Sequence, residues 1–253
     1  FDRDDIEGIT GIGNTTKLEE ANKIGCFGIG FKSVYVVTER PEVHCTIEGM
    51  PIAFGIRDLV VPELIATSHT ASTTRIVLPL LPHKAAAILA RVHDALDKSG
   101  PRSLLFLQNL TLLKWVIGSN SSQCVVEDGE GGLRILRSTV GAKPAQADRF
   151  IMLSRPVHRE NDARSYSVKI ALRLNDGGDI VPEAATTRLA VFFETDEPTG
   201  LHLQVHGPFQ LTDNRANIKR EDPWNTLLID EVSTLLAESL PVLRDRGLIK
   251  RSF

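Results

Sequence analysis

The chain has 253 residues, a formal net charge of −3, 42% hydrophobic residues and 24% charged residues. This length exceeds that of most single domains and the composition is that of a globular protein, so we expect two domains. The weak charge gives no electrostatic basis for binding nucleic acid or an anionic membrane, and neither a membrane-spanning apolar run nor a signal peptide is visible. Three scattered cysteines, Cys26, Cys45 and Cys124, are typical of reduced thiols and predict a cytoplasmic protein.

The chain begins with a predicted short helix and a polar loop. Asp4 and Asp5 are suited to cap a helix that ends near Ile9, where glycines follow. The polar stretch 14–23 predicts a loop ahead of a glycine-rich run. Residues 34–37, Val-Tyr-Val-Val, indicate a strand by propensity, whereas phosphate binding at the glycine run requires a helix there. Both interpretations of this segment stay open at the level of sequence.

Two long helices and a series of strands are predicted in the remainder. Residues 83–98 have one apolar helical face, and Gly100-Pro101 predicts the stop. The last helix has Asp222 as its N-cap and Pro223 at its first position. Its predicted apolar stripe consists of Leu227, Leu228, Val232, Leu235 and Leu236. Strands are predicted at 43–47, 52–56, 73–78, 110–117, 122–127, 133–139, 149–154, 165–174, 188–195 and 201–206.

The glycine-rich run at 24–33 carries the clearest chemical signal. Glycines at 25, 28 and 30 let the backbone approach a ligand closely, so that successive N–H groups point at a phosphate. Lys32 and Ser33 add a cation and a hydroxyl. A P-loop does not fit, because Phe31 separates Gly30 from Lys32, and a dinucleotide fingerprint does not fit the glycine spacing. A glycine-rich turn without a ligand is the alternative interpretation.

The glycine-rich run is part of a larger set of motifs, which consists of the segments Asp5–Lys17, Ile24–Tyr35 and Val37–Val43. Together these segments resemble the ATP-binding domain of sacsin-like proteins, within the GHKL superfamily of ATPases. The resemblance implies a Bergerat fold, an α/β sandwich in which a lid closes over ATP. It places Thr15, Thr16 and Lys17 at the near side of the lid. It assigns phosphate binding to Gly25, Phe27, Gly28, Ile29, Gly30, Phe31, Lys32 and Ser33.

The same resemblance implies two further sites. The stretch 72–78 is similar to a later strand of the family, whose threonine helps to recognise adenine, and Thr74 is the candidate. Sacsin-like and heat-shock proteins also carry a polar loop in the domain after the ATPase, where a basic residue reaches the γ-phosphate. Arg215 matches the sacsin-like pattern and Arg220 the chaperone pattern; we favour Arg215, since a guanidinium grips two phosphate oxygens. Taken alone, this loop is also interpretable as a solvated basic loop balanced by neighbouring acids.

The expected organisation is an α/β (α+β) protein in two parts. Residues 1–82 are the later part of a Bergerat-fold ATP-binding domain, and 83–253 a transducer-like α/β domain. The catalytic acid, a magnesium ligand and the adenine-recognising acid of such ATPases are all expected before Phe1. Hydrolysis therefore depends on residues upstream of those in this chain.

The expected function is that of an ATP-driven conformational module with ATP and Mg²⁺ as cofactors. Expected partners are other protein domains or protein clients and a second copy in a homodimer. The alternatives are a non-catalytic nucleotide sensor or assembly module, and a structural interaction domain with a degenerate site.

Overall fold

The computed structural model describes residues 3–11, 31–67, 73–160 and 162–249. Its helices are α1 (Arg3–Thr10), α2 (Ala85–Ser103) and α3 (Pro223–Asp245), with 3₁₀ helices at Phe31–Val36 and Glu130–Gly132. The strands are β1 (Glu42–Ile47), β2 (Met50–Arg57), β3 (Val61–Leu64), β4 (Arg75–Val77), β5 (Leu112–Ile117), β6 (Asn120–Asp128), β7 (Leu133–Thr139), β8 (Gln146–Val157), β9 (Tyr166–Leu174), β10 (Arg188–Val191), β11 (Phe193–Pro198) and β12 (Gln204–His206). Two sheets with a few helices confirm the predicted α+β class.

The chain divides into two compact units, residues 1–92 and 93–253. The assignment of residues 1–82 to an ATP-binding domain and of 83–253 to a transducer-like domain stays a prediction. Within the described ranges, every helix is too short or too polar to cross a membrane.

The first unit contains a four-stranded antiparallel sheet in the order β3-β2-β1-β4. Alternate residues of β1, Val43 and Cys45, point into its core and are fully buried, as expected for the two-residue period of a strand. Phe31 and Tyr35 of the first 3₁₀ helix pack against this core. The segment 34–37 is therefore helical up to Val36, because the packing of the partly buried Phe31 and Tyr35 against the core outweighs the local β propensity.

The second unit contains an eight-stranded sheet in the order β11-β10-β12-β9-β8-β7-β6-β5. Neighbouring strands are antiparallel except β10 and β12, which are parallel. Helix α3 packs on β8 and β9. Its Leu243 joins Ile151, Leu172 and Ile180 in a buried cluster. Arg155 of β8 also donates to the carboxylates of Glu231 and Glu238 on this helix.

Three local predictions in this unit are wrong. Helix α2 does not stop at Gly100-Pro101 but continues to Ser103, and Gly100 is buried, with the ring of Trp115 3.4 Å from where a Cβ would lie. The predicted strand 188–195 is interrupted at Phe192, whose φ of +64° bends the chain. Leu227 is 38% exposed, because the buried line of α3 runs through Leu228 and Leu227 lies about 100° away from it.

Candidate functional site

Most of the predicted lid and phosphate residues lie outside the described residues. These are Thr15, Thr16, Lys17, Gly25, Phe27, Gly28, Ile29 and Gly30. Their assignment to nucleotide binding stays a prediction. The described part of the predicted site comprises Phe31, Lys32, Ser33 and Thr74 in the first unit and Arg215 and Arg220 in the second.

Lys32 makes contacts that the sequence did not indicate. Its ammonium donates to the carbonyl oxygen of Ile9 at 2.8 Å and also to that of Leu59. Ile9 lies in the last turn of α1, where carbonyl oxygens lack partners within the helix and attract a cation. Burial lowers the pKa of Lys32. In this structure Lys32 therefore links α1 to the turn after β2.

The neighbours of Lys32 differ in exposure. Phe31 is half-buried against the core of the first unit, whereas Ser33 is exposed. Thr74 is also exposed and immediately precedes β4, the edge strand that pairs with β1. Near this edge, the Nδ1 atom of His44 lies 2.9 Å from the hydroxyl oxygen of Thr67. The structure thus places Thr74 at an accessible sheet edge, and its role in adenine recognition stays a prediction.

Arg215 lies on a short, strongly hydrogen-bonded loop, residues 210–219, which we call the arginine loop. Leu211 and Ile218 form an antiparallel bridge across it. At its tip, the N–H of Thr212 donates to the carbonyl of Asn217 at 2.8 Å, and the N–H of Arg215 donates to the carbonyl of Thr212 at 2.8 Å. The tip is thus a closed turn, held by hydrogen bonds within the loop and by the N–H of Asp196 on β11, which donates to the carbonyl of Ala216 at 2.7 Å.

Two side chains fix the tip further. The hydroxyl of Thr212 donates to the side-chain oxygen of Asn214 at 2.8 Å, and that oxygen also accepts the N–H of Ala216 at 3.1 Å. Arg215, which lies between Asn214 and Ala216, has a φ of +58°, a left-handed conformation that is costly for a residue with a Cβ. The surrounding hydrogen bonds offset this cost. Neither Thr212 nor Asn214 was predicted as a site residue, although short polar side chains beside an arginine are typical of tight turns.

The two candidate arginines have different surroundings. Both are exposed. Arg220 lies 3.9 Å from a carboxylate oxygen of Glu197, whose other oxygen accepts the N–H of Ile218 at 3.2 Å. Within the part of the chain that the structure describes, the guanidinium of Arg215 makes no ion pair or hydrogen bond. Of these two arginines, Arg215 is therefore the one whose guanidinium has no charged partner among the described residues.

Other chemistry is limited in the described ranges. Across residues 3–11, 31–67, 73–160 and 162–249, no group of three or more His, Cys, Asp or Glu side chains is placed to hold a metal ion. Cys45 and Cys124 are buried and are not joined in a disulfide. Burial raises the pKa of the Cys124 thiol to about 11. A thiol with so high a pKa is a poor nucleophile, so we assign neither cysteine a catalytic role.

Comparison with known proteins gives two matches. Residues 1–49, which include the glycine-rich run, match the family model described as Sacsin domain. An alignment of 263 residues, covering 95% of this chain, is 23% identical to Protein NO VEIN from Arabidopsis thaliana. The chain spans only about a tenth of that protein, 10% of its length. The predicted sacsin-like resemblance is thereby confirmed over residues 1–49, while membership of the GHKL superfamily stays a prediction.

Proposed function

We propose that this chain is the nucleotide-responsive part of a sacsin-like protein. In this proposal ATP binds at the glycine-rich run, and Arg215 responds to the presence of the γ-phosphate. The observation that carries the proposal is an exposed arginine, without an ion pair among the described residues, on a loop whose backbone is fixed by hydrogen bonds. Exposure leaves the guanidinium accessible, and a rigid loop limits the entropy that is lost on binding.

The residues present fit a nucleotide phosphate in part. Backbone N–H groups between Gly25 and Gly30 are proposed to hold the phosphates, which is the chemistry that closely spaced glycines allow. Lys32 already donates to two backbone carbonyls. We therefore propose that Lys32 supports the fold beside the glycine run and does not contact phosphate itself.

Hydrolysis requires a base and a magnesium ligand, to which the proposal assigns no residue of this chain. When bound, Mg²⁺ neutralises phosphate charge. The contribution of Arg215 is electrostatic: a guanidinium gripping the γ-phosphate stabilises the charge that builds up during its transfer. This contact is lost when the γ-phosphate leaves, so the ATP-bound and ADP-bound states of the protein differ in free energy. That difference couples the conformation of the protein to the nucleotide it holds.

The test is ATP turnover in protein that carries the sequence upstream of Phe1, compared between wild type and Arg215→Ala. We expect Arg215→Ala to lower kcat by about 100-fold. Arg220→Ala is expected to have a smaller effect, since its guanidinium faces Glu197. Arg244→Ala is the matched control, because among the described residues this exposed arginine on α3 pairs with the adjacent Asp245 alone. Equal turnover in wild type and Arg215→Ala would sink the proposal.

A nucleotide sensor without hydrolysis is the second candidate. It is favoured by the contacts of Lys32. The ammonium group that the glycine motif is expected to offer to a phosphate donates instead to two backbone carbonyls. Calorimetry with ATP and ADP separates the candidates: binding without turnover supports the sensor, and the absence of binding contradicts both.

A further inference from the structure

The two ends of the arginine loop meet at the start of helix α3. The N–H of Lys219 donates to the carbonyl of Gln210 at 2.9 Å, which closes the loop at its base. The loop is therefore a small hairpin that is held at its base by this bond. It is also held by β11, because the N–H of Asp196 donates to the carbonyl of Ala216 at 2.7 Å and Glu197 accepts the N–H of Ile218 at 3.2 Å. The base is one of the contacts that determine where Arg215 at the tip is held.

Asn225 grips both ends of this base. Its side-chain Nδ2 donates to the carbonyl of Gln210 at 2.8 Å and to that of Lys219 at 2.9 Å. Its Oδ1 accepts the N–H of Gln210 at 2.7 Å. Asn225 is only 1% exposed, so none of these bonds is exchanged readily with water. One side chain thus makes three hydrogen bonds to the two ends of the loop.

The chemistry of the site requires a side-chain amide. Two carbonyl oxygens need donors and one N–H needs an acceptor, and an amide supplies two donors and an acceptor in a single plane. Because the amide nitrogen must face the two carbonyls and the amide oxygen must face the N–H, these partners determine which end of the amide is nitrogen. Aspartate at this position would face the carbonyls of Gln210 and Lys219 with oxygen. Alanine would leave the N–H of Gln210 without its acceptor and would remove one donor from each of the two carbonyls.

The helix that carries Asn225 is itself anchored. The carboxylate of Asp222 accepts the N–H of Trp224 at 2.9 Å, which caps the first turn. The indole Nε1–H of Trp224 donates to the carbonyl of Pro208 at 3.0 Å, just before the loop begins. The loop is therefore attached to a helix end that cannot rotate without losing these bonds.

We propose that Asn225 is the positioning residue for Arg215: it transmits the orientation of helix α3 to the arginine through the base of the loop. This inference rests on the proposed function, in which Arg215 contacts the γ-phosphate. It couples the base of the arginine loop to α3, while β11 holds the loop near its tip through Asp196 and Ala216, so that a movement at the start of the helix shifts the backbone that carries Arg215. Asn225 itself touches no ligand.

The first test is independent of nucleotide. Hydrogen exchange of the Gln210 and Lys219 amides is measured in wild type, Asn225→Asp and Asn225→Ala. We expect exchange at both amides to accelerate by about tenfold or more in Asn225→Ala, because the base of the loop opens locally. The control is Ser239→Ala, a buried hydroxyl on the same helix that bonds only to its own helix at Leu235. Unchanged exchange in both Asn225 variants overturns the inference.

The second test uses ATP turnover in protein carrying the upstream sequence. A misplaced arginine weakens transition-state contacts, so Asn225→Ala is expected to lower kcat by about 10- to 100-fold with KM little changed. Because Asn225 acts through Arg215, the double variant Asn225→Ala/Arg215→Ala should be no slower than Arg215→Ala alone. Additive losses in the double variant contradict a positioning role and indicate general destabilisation.

These outcomes separate the inference from the proposed function. If Arg215→Ala lowers turnover and Asn225→Ala does not, the positioning role fails and the proposed function stands. If Arg215→Ala leaves turnover unchanged, the proposed function fails and the positioning role with it. Hydrogen exchange still reports whether Asn225 holds the loop, which is the structural part of the inference.

Discussion

The imidazole of His206 stacks on the ring of Phe106, with 4.9 Å between ring centroids and 27° between ring planes. Phe192 lies edge-on to the same imidazole at 5.3 Å. His206 is 5% exposed, and within the described residues neither of its ring nitrogens has a hydrogen-bond partner. Burial, followed by the nearby charge of Lys169, lowers the pKa of His206 from 6.5 to about 3.

This burial predicts a pH dependence of stability. Between pH 6.5 and pH 3 the unfolded chain binds a proton at His206 that the folded chain does not. The contribution of His206 to the free energy of unfolding is therefore highest above pH 6.5 and decreases as the pH falls. The expected slope from this residue is up to about 1.4 kcal/mol per pH unit. When the free energy of unfolding is measured in urea between pH 5 and pH 7, His206→Phe should remove the part of its pH dependence that comes from His206. His158→Gln, at an exposed position, is the control and should keep the wild-type slope.

Gly132 is predicted to be far less tolerant of substitution than its neighbour Gly131. Both have positive φ, +84° and +67°, so alanine costs about 1–2 kcal/mol of stability at either position. A Cβ at Gly132 would also lie 2.6 Å from the backbone oxygen of Met152, whereas a Cβ at Gly131 meets nothing within 4 Å. Gly132→Ala should therefore cost about 1–3 kcal/mol more than Gly131→Ala in chemical denaturation. Equal losses would contradict the close approach of the two backbones.

Arg134 is predicted to stabilise the segment after helix α2. Its Nη1 donates to the carbonyls of Leu105 at 2.7 Å and Leu107 at 3.3 Å. The side chain is only 13% exposed, so Arg134→Met should lower the free energy of unfolding by about 1.5–3 kcal/mol. Arg137→Met on the same strand is the matched control. Its side chain is 53% exposed and pairs only with Glu127, so a loss of about 0–1 kcal/mol is expected.

Asp222 is predicted to stabilise the beginning of α3 as its N-cap. Its carboxylate accepts the N–H of Trp224 at 2.9 Å and that of Asn225 at 3.4 Å. Asp222→Ala should cost about 1 kcal/mol in thermal or urea unfolding, and Asp222→Ser, which keeps an acceptor, should recover most of the loss. Asp230→Ala, at an exposed position inside the same helix, serves as the control. A Ser variant as unstable as the Ala variant would contradict the capping role.

Part of the candidate site was predictable from sequence. A polar loop between a strand and a capped helix placed Arg215 on the surface, and exposure of its side chain agrees with this. Its lack of an ion pair among described residues was not predictable, since Asp213, Glu221 and Asp222 are all near it in the chain. Lys32 illustrates the same limit: its spacing from the glycines suggested phosphate, while its observed partners are the carbonyls of Ile9 and Leu59.

The sequence by itself determined the elements whose signals are local. Asp222 and Pro223 begin α3 as predicted, and the hairpin at Gly49 forms where a glycine interrupts two alternating segments. These features depend on backbone geometry and hydrogen bonds between residues a few positions apart. Neighbouring residues in the chain therefore contain all the information that they require.

Only the tertiary structure decided the features that depend on distant partners. The helix α2 continues past Gly100, which packs against Trp115, and Phe192 adopts a left-handed conformation beside His206. Asn225 binds Gln210, fifteen positions earlier in the chain. The physical reason is that the free energy of burial and the cost of unpaired polar groups depend on the residues that are neighbours in space. For the residues named here, these two terms outweigh local propensity.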